Sequence, residues 1–168
     1  MASGAAHTTG YRVGLLALGA LAAWGYSDDR LSAEQCVALL AGGVGGMLFD
    51  PDMRDQQHIR TAGEQRFYAV PLVGPLLGRL VEWYMWPLAS VLPHRHWASH
   101  LPVVSTALIV IYLCVPPLFA VYLYAHGSTA GFLPWLRALY SPLWLYAFCA
   151  WAFQDTIHFV LDRGGLRD

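Results

Sequence analysis

Residues 101–125 read LPVVSTALIVIYLCVPPLFAVYLYA, an apolar run that contains no charged side chain. As an α-helix this segment would be roughly 37 Å long, which is enough to cross the hydrocarbon core of a bilayer. A small soluble domain has no interior that could bury so long and so apolar a helix. The segment therefore predicts a membrane-spanning helix and disfavours the alternative, a soluble all-α bundle with buried helices.

The composition of the whole chain agrees with a membrane protein. Of its 168 residues, 57% are hydrophobic and only 12% are charged, whereas soluble domains contain about 25% charged residues. The net charge is -1 and no basic stripe is visible, which excludes a nucleic-acid-binding module. Aromatic residues make up 14% of the chain, as expected for belts at the two membrane interfaces. The length fits a single domain.

Three further apolar segments predict additional spans at residues 11–26, 31–49 and 141–161. Ser32 is placed to cap the second of these helices, and Glu34 lies in its first turn, where a carboxylate suits the helix dipole. Gly42 and Gly46 lie four residues apart in the same segment, a spacing that lets two helices approach closely. Together with residues 101–125, these segments predict an all-α membrane protein with four transmembrane helices.

Residues 67–93 are apolar and aromatic, but four prolines interrupt them, and Arg79 and Glu82 lie within the run. The longest piece without a proline, residues 76–86, is too short to cross a bilayer as a helix. We therefore expect an interfacial or re-entrant helix here, with Trp83 and Trp86 at the level of the lipid headgroups.

The distribution of arginine supports this topology. With four spans and residues 67–93 lying flat, eight of the ten basic residues fall on one side of the membrane. That side carries Arg12, Arg54, Arg60, Arg66, Arg79, Arg95, Arg163 and Arg167, and the other side carries Arg30 and Arg137. Because arginine concentrates in cytoplasmic loops, we expect a protein of the cell (inner) membrane with both termini in the cytoplasm.

The same topology brings four polar clusters to the cytoplasmic face. They are His7 before the first span, Asp50 and Asp52 after the second, His94 and His100 before the third, and Asp155 and His158 near the end of the fourth. Imidazole and carboxylate groups are the ligands of divalent metals such as zinc and manganese. We therefore predict a metal site formed by His7, Asp52, His94, His100, Asp155 and His158.

Each cluster taken singly has an ordinary structural explanation. A helix stop before Pro51 accounts for Asp50, and contacts with lipid headgroups account for the histidines of residues 94–100. Asp155 and His158 are harder to explain in this way, because they lie at i and i+3 on one face of an apolar helix. Ionisable residues at such a depth are costly and usually functional.

The number of candidate ligands exceeds the four of a closed zinc site. It suits a binuclear centre in which a carboxylate bridges the two metals. In this hypothesis Asp50 is a bridging ligand or a general base, and Arg95 binds an anionic group of the substrate. Ser99 is expected to be the N-cap of the third span, which would bring a helix N-terminus to the same anion.

These motifs resemble those of a family of small integral membrane proteins that are thought to bind metal and have no assigned function. The resemblance covers nearly the whole chain and rests on Ser3-Gly4-x-x-His7, Gly45-Gly46 with Asp50-Pro51-Asp52, His94-Arg95-x-x-x-Ser99-His100, and Asp155-x-x-His158. The family is in turn similar to SOS-induced, membrane-bound metal-dependent hydrolases, which implies such an activity by analogy. Two positions depart from the pattern, because Thr8 and Arg54 stand where acidic residues are often found.

The leading functional prediction is hydrolysis of a phosphoester or similar bond at the membrane surface by a metal-bound hydroxide. The alternative is a non-catalytic accessory or structural subunit that packs against a larger membrane complex or a second copy of itself. A transporter is less favoured, because charged residues cluster at one face and are absent from the middle of the spans. The expected partners are thus the lipid bilayer and such a complex, and no nucleic acid.

Overall fold

The computed structural model describes residues 4–49, 62–91, 101–139 and 141–164, and all regular structure in these ranges is α-helical. The helices are α1 (Gly4–Ser27), α2 (Ala33–Leu48), α3 (Ala62–Tyr68), α4 (Gly74–Val91), α5 (Pro102–Tyr124), α6 (Thr129–Leu139) and α7 (Leu143–Gly164). The all-α prediction is confirmed, and α1, α2, α5 and α7 coincide with the four apolar segments. Within the described residues, only α5 is both long enough and apolar enough to cross a membrane, judged by length and composition.

The start of α2 follows the sequence prediction. The Ser32 hydroxyl accepts a hydrogen bond from the backbone N–H of Gln35 at 3.3 Å, and the Gln35 side chain accepts one from the Ser32 N–H at 2.8 Å. This reciprocal pair satisfies two backbone donors that the helix itself leaves unpaired. Ser32 is therefore confirmed as the N-cap.

Two sequence expectations about helix ends are wrong. The N-cap of α5 is Leu101, followed by Pro102 in the first helical position, so Ser99 does not cap this helix. A proline in that position has the required backbone angle and lacks an N–H that would have had no partner there. Helix α4 extends beyond residues 76–86 at both ends and includes Pro87 in its interior.

Helix α7 is the central element of the fold and contacts α1, α2 and α5. It runs parallel to α2, because Gln35 bonds to Tyr146 at one end while Gly46 lies against Gln154 further along. It runs antiparallel to α1 and α5, as the pairs Tyr11–His158 and Thr106–Asp155 show. Helix α4 packs against this group of helices, and its Met85 contacts Ile109 of α5 and Trp151 of α7.

Glycine sets the spacing between α2 and α7. A Cβ atom at Gly42 would overlap the backbone carbonyl of Ala147, and one at Gly46 would lie 2.8 Å from the Cβ of Gln154. Because side chains at these positions would push the helices apart, the predicted role of Gly42 and Gly46 in close packing is confirmed.

Candidate functional site

The most deeply buried polar side chains lie in α5 and α7. Asp155 is 2% exposed and His158 is 3% exposed, and both point into the space enclosed by α1, α5 and α7. The outer surface is apolar by contrast, with Leu16 74% and Trp83 77% exposed. A soluble protein normally places these groups the other way round, so the polarity of this bundle is inverted.

Asp155 is held by two hydroxyl groups from the first turn of α5. The Ser105 and Thr106 hydroxyls donate to Oδ2 of Asp155 at 2.9 and 2.6 Å. Both hydroxyl oxygens also lie within 3.0 Å of the Pro102 carbonyl oxygen, and because each has one proton, this carbonyl is an alternative acceptor to the carboxylate. The carboxylate is thus oriented by these hydroxyl groups, as hydrogen bonds from neighbouring side chains orient the ligands of metal sites.

His158 is oriented by a residue of the first helix. Its Nδ1 lies 2.8 Å from the hydroxyl oxygen of Tyr11, and the two rings are stacked with centroids 6.0 Å apart. If Nδ1 carries the proton and donates it to Tyr11, the lone pair of His158 is on Nε2. Metal-binding histidines are held in this way, with one nitrogen bonded to the protein and the other to the metal.

Two further residues, Gln154 and Arg66, contact Tyr11. Gln154, fully buried on α7, donates through Nε2 to the Tyr11 carbonyl oxygen at 3.3 Å. The guanidinium of Arg66 on α3 lies 5.8 Å from the centre of the Tyr11 ring and donates to the carbonyl oxygen of Met47, in the last turn of α2. Arginine at a helix C-terminus offsets the partial negative charge of the exposed carbonyl groups. We refer to Tyr11, Ser105, Thr106, Gln154, Asp155 and His158 as the polar cluster.

Only part of the predicted metal site lies within the described residues. Asp155 and His158 are three residues apart on α7 and both belong to the polar cluster. His7 lies in α1, one turn before Tyr11, but its side chain is outside what the structure describes. The other predicted site residues fall outside the described ranges, namely Asp50, Asp52, His94, Arg95 and His100.

The described side chains do not form a complete metal site by themselves. No group of three or more His, Cys, Asp or Glu side chains that could hold a metal ion occurs in the part of the chain that the structure describes. Asp155 and His158 could supply one carboxylate and one imidazole, and further ligands would have to come from the predicted residues outside these ranges.

Sequence reasoning missed Tyr11, Ser105, Thr106 and Gln154 as members of the cluster. By sequence, Tyr11 is the first residue of one apolar segment, and Ser105 and Thr106 lie inside another. The available signal was that Ser105 and Thr106 are adjacent hydroxyl residues in an otherwise apolar helix. Such groups need partners when they are buried, and Asp155 is that partner.

Comparison with known proteins gives no relative, since no family model, no curated protein and no solved structure matches the chain. The resemblance described above therefore rests on its short motifs alone.

Proposed function

We propose that this chain is an integral membrane protein in which α1, α2, α5 and α7 span the bilayer and enclose a metal site at their cytoplasmic end. The observation that carries the proposal is the inverted polarity, with Asp155 and His158 nearly inaccessible inside a bundle whose surface is apolar. In a bilayer this arrangement is favourable, because apolar side chains meet lipid and ionisable ones meet each other.

The helix directions support four spans. α1 and α5 run one way, and α2 and α7 run the other, as a chain that crosses the membrane four times requires. Arg66 lies at the end of the bundle that holds His158, whereas Arg30 lies at the opposite end beside Trp24. This separation is the one that the arginine count predicts for a cytoplasmic and an outer face.

The metal site would be completed by the segments that adjoin the polar cluster. The last turn of α2 and the first turn of α5 both lie beside the cluster, through Met47 and Ser105. The chain continues from these helices into the segments that contain Asp52 and His100. With His7, His94, Asp155 and His158, these residues would bind one or two divalent ions such as zinc or manganese.

The reaction we propose is hydrolysis of a phosphoester-like bond at the membrane surface. A divalent metal would lower the pKa of a bound water and polarise the substrate oxygen. Asp50 would act as a bridging ligand or general base, and Arg95 would bind the anionic group. The second candidate is an accessory subunit with a structural metal, which the many apolar side chains on the bundle surface favour.

Metal content tests the first part of this proposal. Purified protein should contain about one or two metal ions per chain. The His158→Ala variant should lose most of the bound metal, because an imidazole ligand is removed. The control is His126→Asn, since His126 is exposed beyond the C-terminal end of α5 with φ of 56°, a conformation that asparagine tolerates. Equal metal content in all three proteins would defeat the metal site.

Turnover separates the two candidate functions. A hydrolase should cleave a generic phosphodiester with added manganese or zinc, and His158→Ala should abolish the activity while His126→Asn retains it. Metal bound at full occupancy without turnover on any phosphoester would favour the accessory subunit. Terminal reporter fusions test the orientation, and a reporter that is active only outside the cytoplasm would overturn it.

A further inference from the structure

An apolar groove opens between α1 and α7 at the end of the bundle away from the polar cluster. Its deeper part is lined by Ala17 and Phe153, and its wider part by Trp24 and Leu145, while Leu39 of α2 lies along both. The two parts have volumes of about 290 and 560 Å³ and share residues, so they adjoin each other along the helices as an open groove.

The mouth of the groove carries charges of both signs. Arg30 lines the wider part and stacks on the Trp24 ring, with its guanidinium 5.1 Å from the ring centre. Its Nε donates to Asp28, and the exposed Asp29 is the next residue in the chain. Arginine has five N–H donors, so the remaining guanidinium N–H groups can bind an anion.

We propose that this groove binds one phospholipid with a zwitterionic, amine-bearing headgroup, and that one of its two acyl chains lies between α1 and α7. The phosphate would contact Arg30, and the ammonium group would contact Asp28 or Asp29. This proposal rests on the membrane insertion proposed above but not on the metal site.

The direction and shape of the groove fit a lipid. The charged mouth lies at the end of α1, and the apolar groove runs from there toward the middle of the helix, as an acyl chain runs from its headgroup toward the bilayer centre. Trp24 and Tyr146 line the mouth, where aromatic residues favour the interface.

A helix from a second copy of the chain fits less well. The groove extends from Pro142, just before α7, to Phe153, or roughly 16 Å along the helix. A helix of that length with its side chains, about 10 Å wide, would occupy roughly 1200 Å³. The two parts of the groove, of about 290 and 560 Å³, together offer less than this volume, which suits a thinner chain.

The test uses the full chain, delipidated in a maltoside detergent and titrated with dioleoylphosphatidylethanolamine or dioleoylphosphatidylglycerol. Native mass spectrometry counts the lipids bound per chain. We expect one phosphatidylethanolamine to bind the wild type at least ten-fold more tightly than phosphatidylglycerol. Equal binding of the two lipids, or a dimer that excludes lipid, would overturn the proposal.

Two matched variants locate the site. Ala17→Phe fills the deeper part of the groove and should weaken lipid binding at least ten-fold, whereas Ala20→Phe, on the same helix but outside the groove lining, should not. Arg30→Gln removes the proposed phosphate contact and should weaken the binding of both lipids, while Arg137→Gln should not. Unchanged binding by Ala17→Phe and Arg30→Gln would refute the groove site.

The experiment also separates the two proposals. Recovery of the wild-type chain in the soluble fraction without detergent would overturn both membrane insertion and the lipid site. Insertion with equal binding by Ala17→Phe and Ala20→Phe would overturn only the lipid site.

Discussion

Helices α1 and α7 are held together in different ways at their two ends. At the end that carries His158, Gly10 and Gly14 bring α1 against Ile157, and buried polar contacts join the helices. At the other end an apolar groove separates them, and the charged pair Arg30–Asp28 is exposed and local in sequence. The long-range hydrogen bonds between α1 and α7 are therefore at the polar end, whereas at the groove end α7 is bonded to α2 through Gln35 and Tyr146.

The largest effect on stability is expected at the close contact between α2 and α7. Gly42→Ala places a Cβ atom against the Ala147 carbonyl group, and separating the helices should cost about 3 kcal/mol of the free energy of unfolding. Equilibrium unfolding in detergent measures this loss.

Gly19→Ala is the matched control for that variant. A Cβ at Gly19 would meet no atom within 4 Å, so the substitution should be neutral or stabilising by about 0.5–1 kcal/mol because alanine favours helix. If Gly42→Ala were as stable as Gly19→Ala, the close approach of α2 and α7 would be incorrect.

The next largest effect concerns Asp155. Thr106→Val preserves the shape of the side chain but removes the hydroxyl that donates to Asp155, and we expect a loss of about 2 kcal/mol because a buried acceptor loses a donor. Thr156→Val is the control, since the exposed Thr156 hydroxyl bonds only to the Ala152 carbonyl of its own helix. A similar loss in both variants would assign the effect to helix propensity and would weaken the contrast between the two ends.

Tyr11→Phe tests whether the polar end is organised for metal binding. It removes the partner of His158 Nδ1, and we expect about 1 kcal/mol of lost stability together with roughly ten-fold weaker metal binding. Tyr26→Phe, at an exposed position near the end of α1, should change neither quantity. Weaker folding with unchanged metal affinity would indicate that Tyr11 has a purely structural role.

The smallest effect is expected at the groove end. Ser32→Ala removes the N-cap of α2 and should reduce stability by about 0.5–1 kcal/mol, as measured by thermal unfolding. Ser90→Ala should have almost no effect, because the exposed Ser90 hydroxyl bonds only to the Pro87 carbonyl in the last turn of its own helix, α4. A loss at Ser32 as large as that at Thr106 would contradict the weaker organisation of this end.

Much of the helical framework could be predicted from hydrophobicity. The segments 31–49, 101–125 and 141–161 match α2, α5 and α7 closely, because apolar runs of this length form helices. The early start of α1 at Gly4, the short helix α3 and the whole of α6 were missed. The first turns of α1 carry His7, Thr8 and Thr9, and α6 contains Pro134, so neither has the pattern on which the prediction depended.

The site was only partly accessible to sequence reasoning. Asp155 and His158 stand out because ionisable residues are rare in apolar helices. Their partners do not, because the roles of Tyr11 and Thr106 depend on contacts across more than 40 positions in the chain. Periodicity within one helix carries no information about which helix will face it.

The parallel contact between α2 and α7 also has a consequence for biogenesis. α3 to α6 lie between these two helices in the chain, so the glycine face of α2 leaves the ribosome long before the surface that covers it. In the membrane topology proposed above, that face would be exposed to lipid or to the insertion machinery until α7 is inserted, and Asp155 would arrive as part of α7. Assembly of the bundle core should therefore be a late event that follows insertion of the earlier helices, and a chain interrupted before α7 should be recognised as unassembled and degraded.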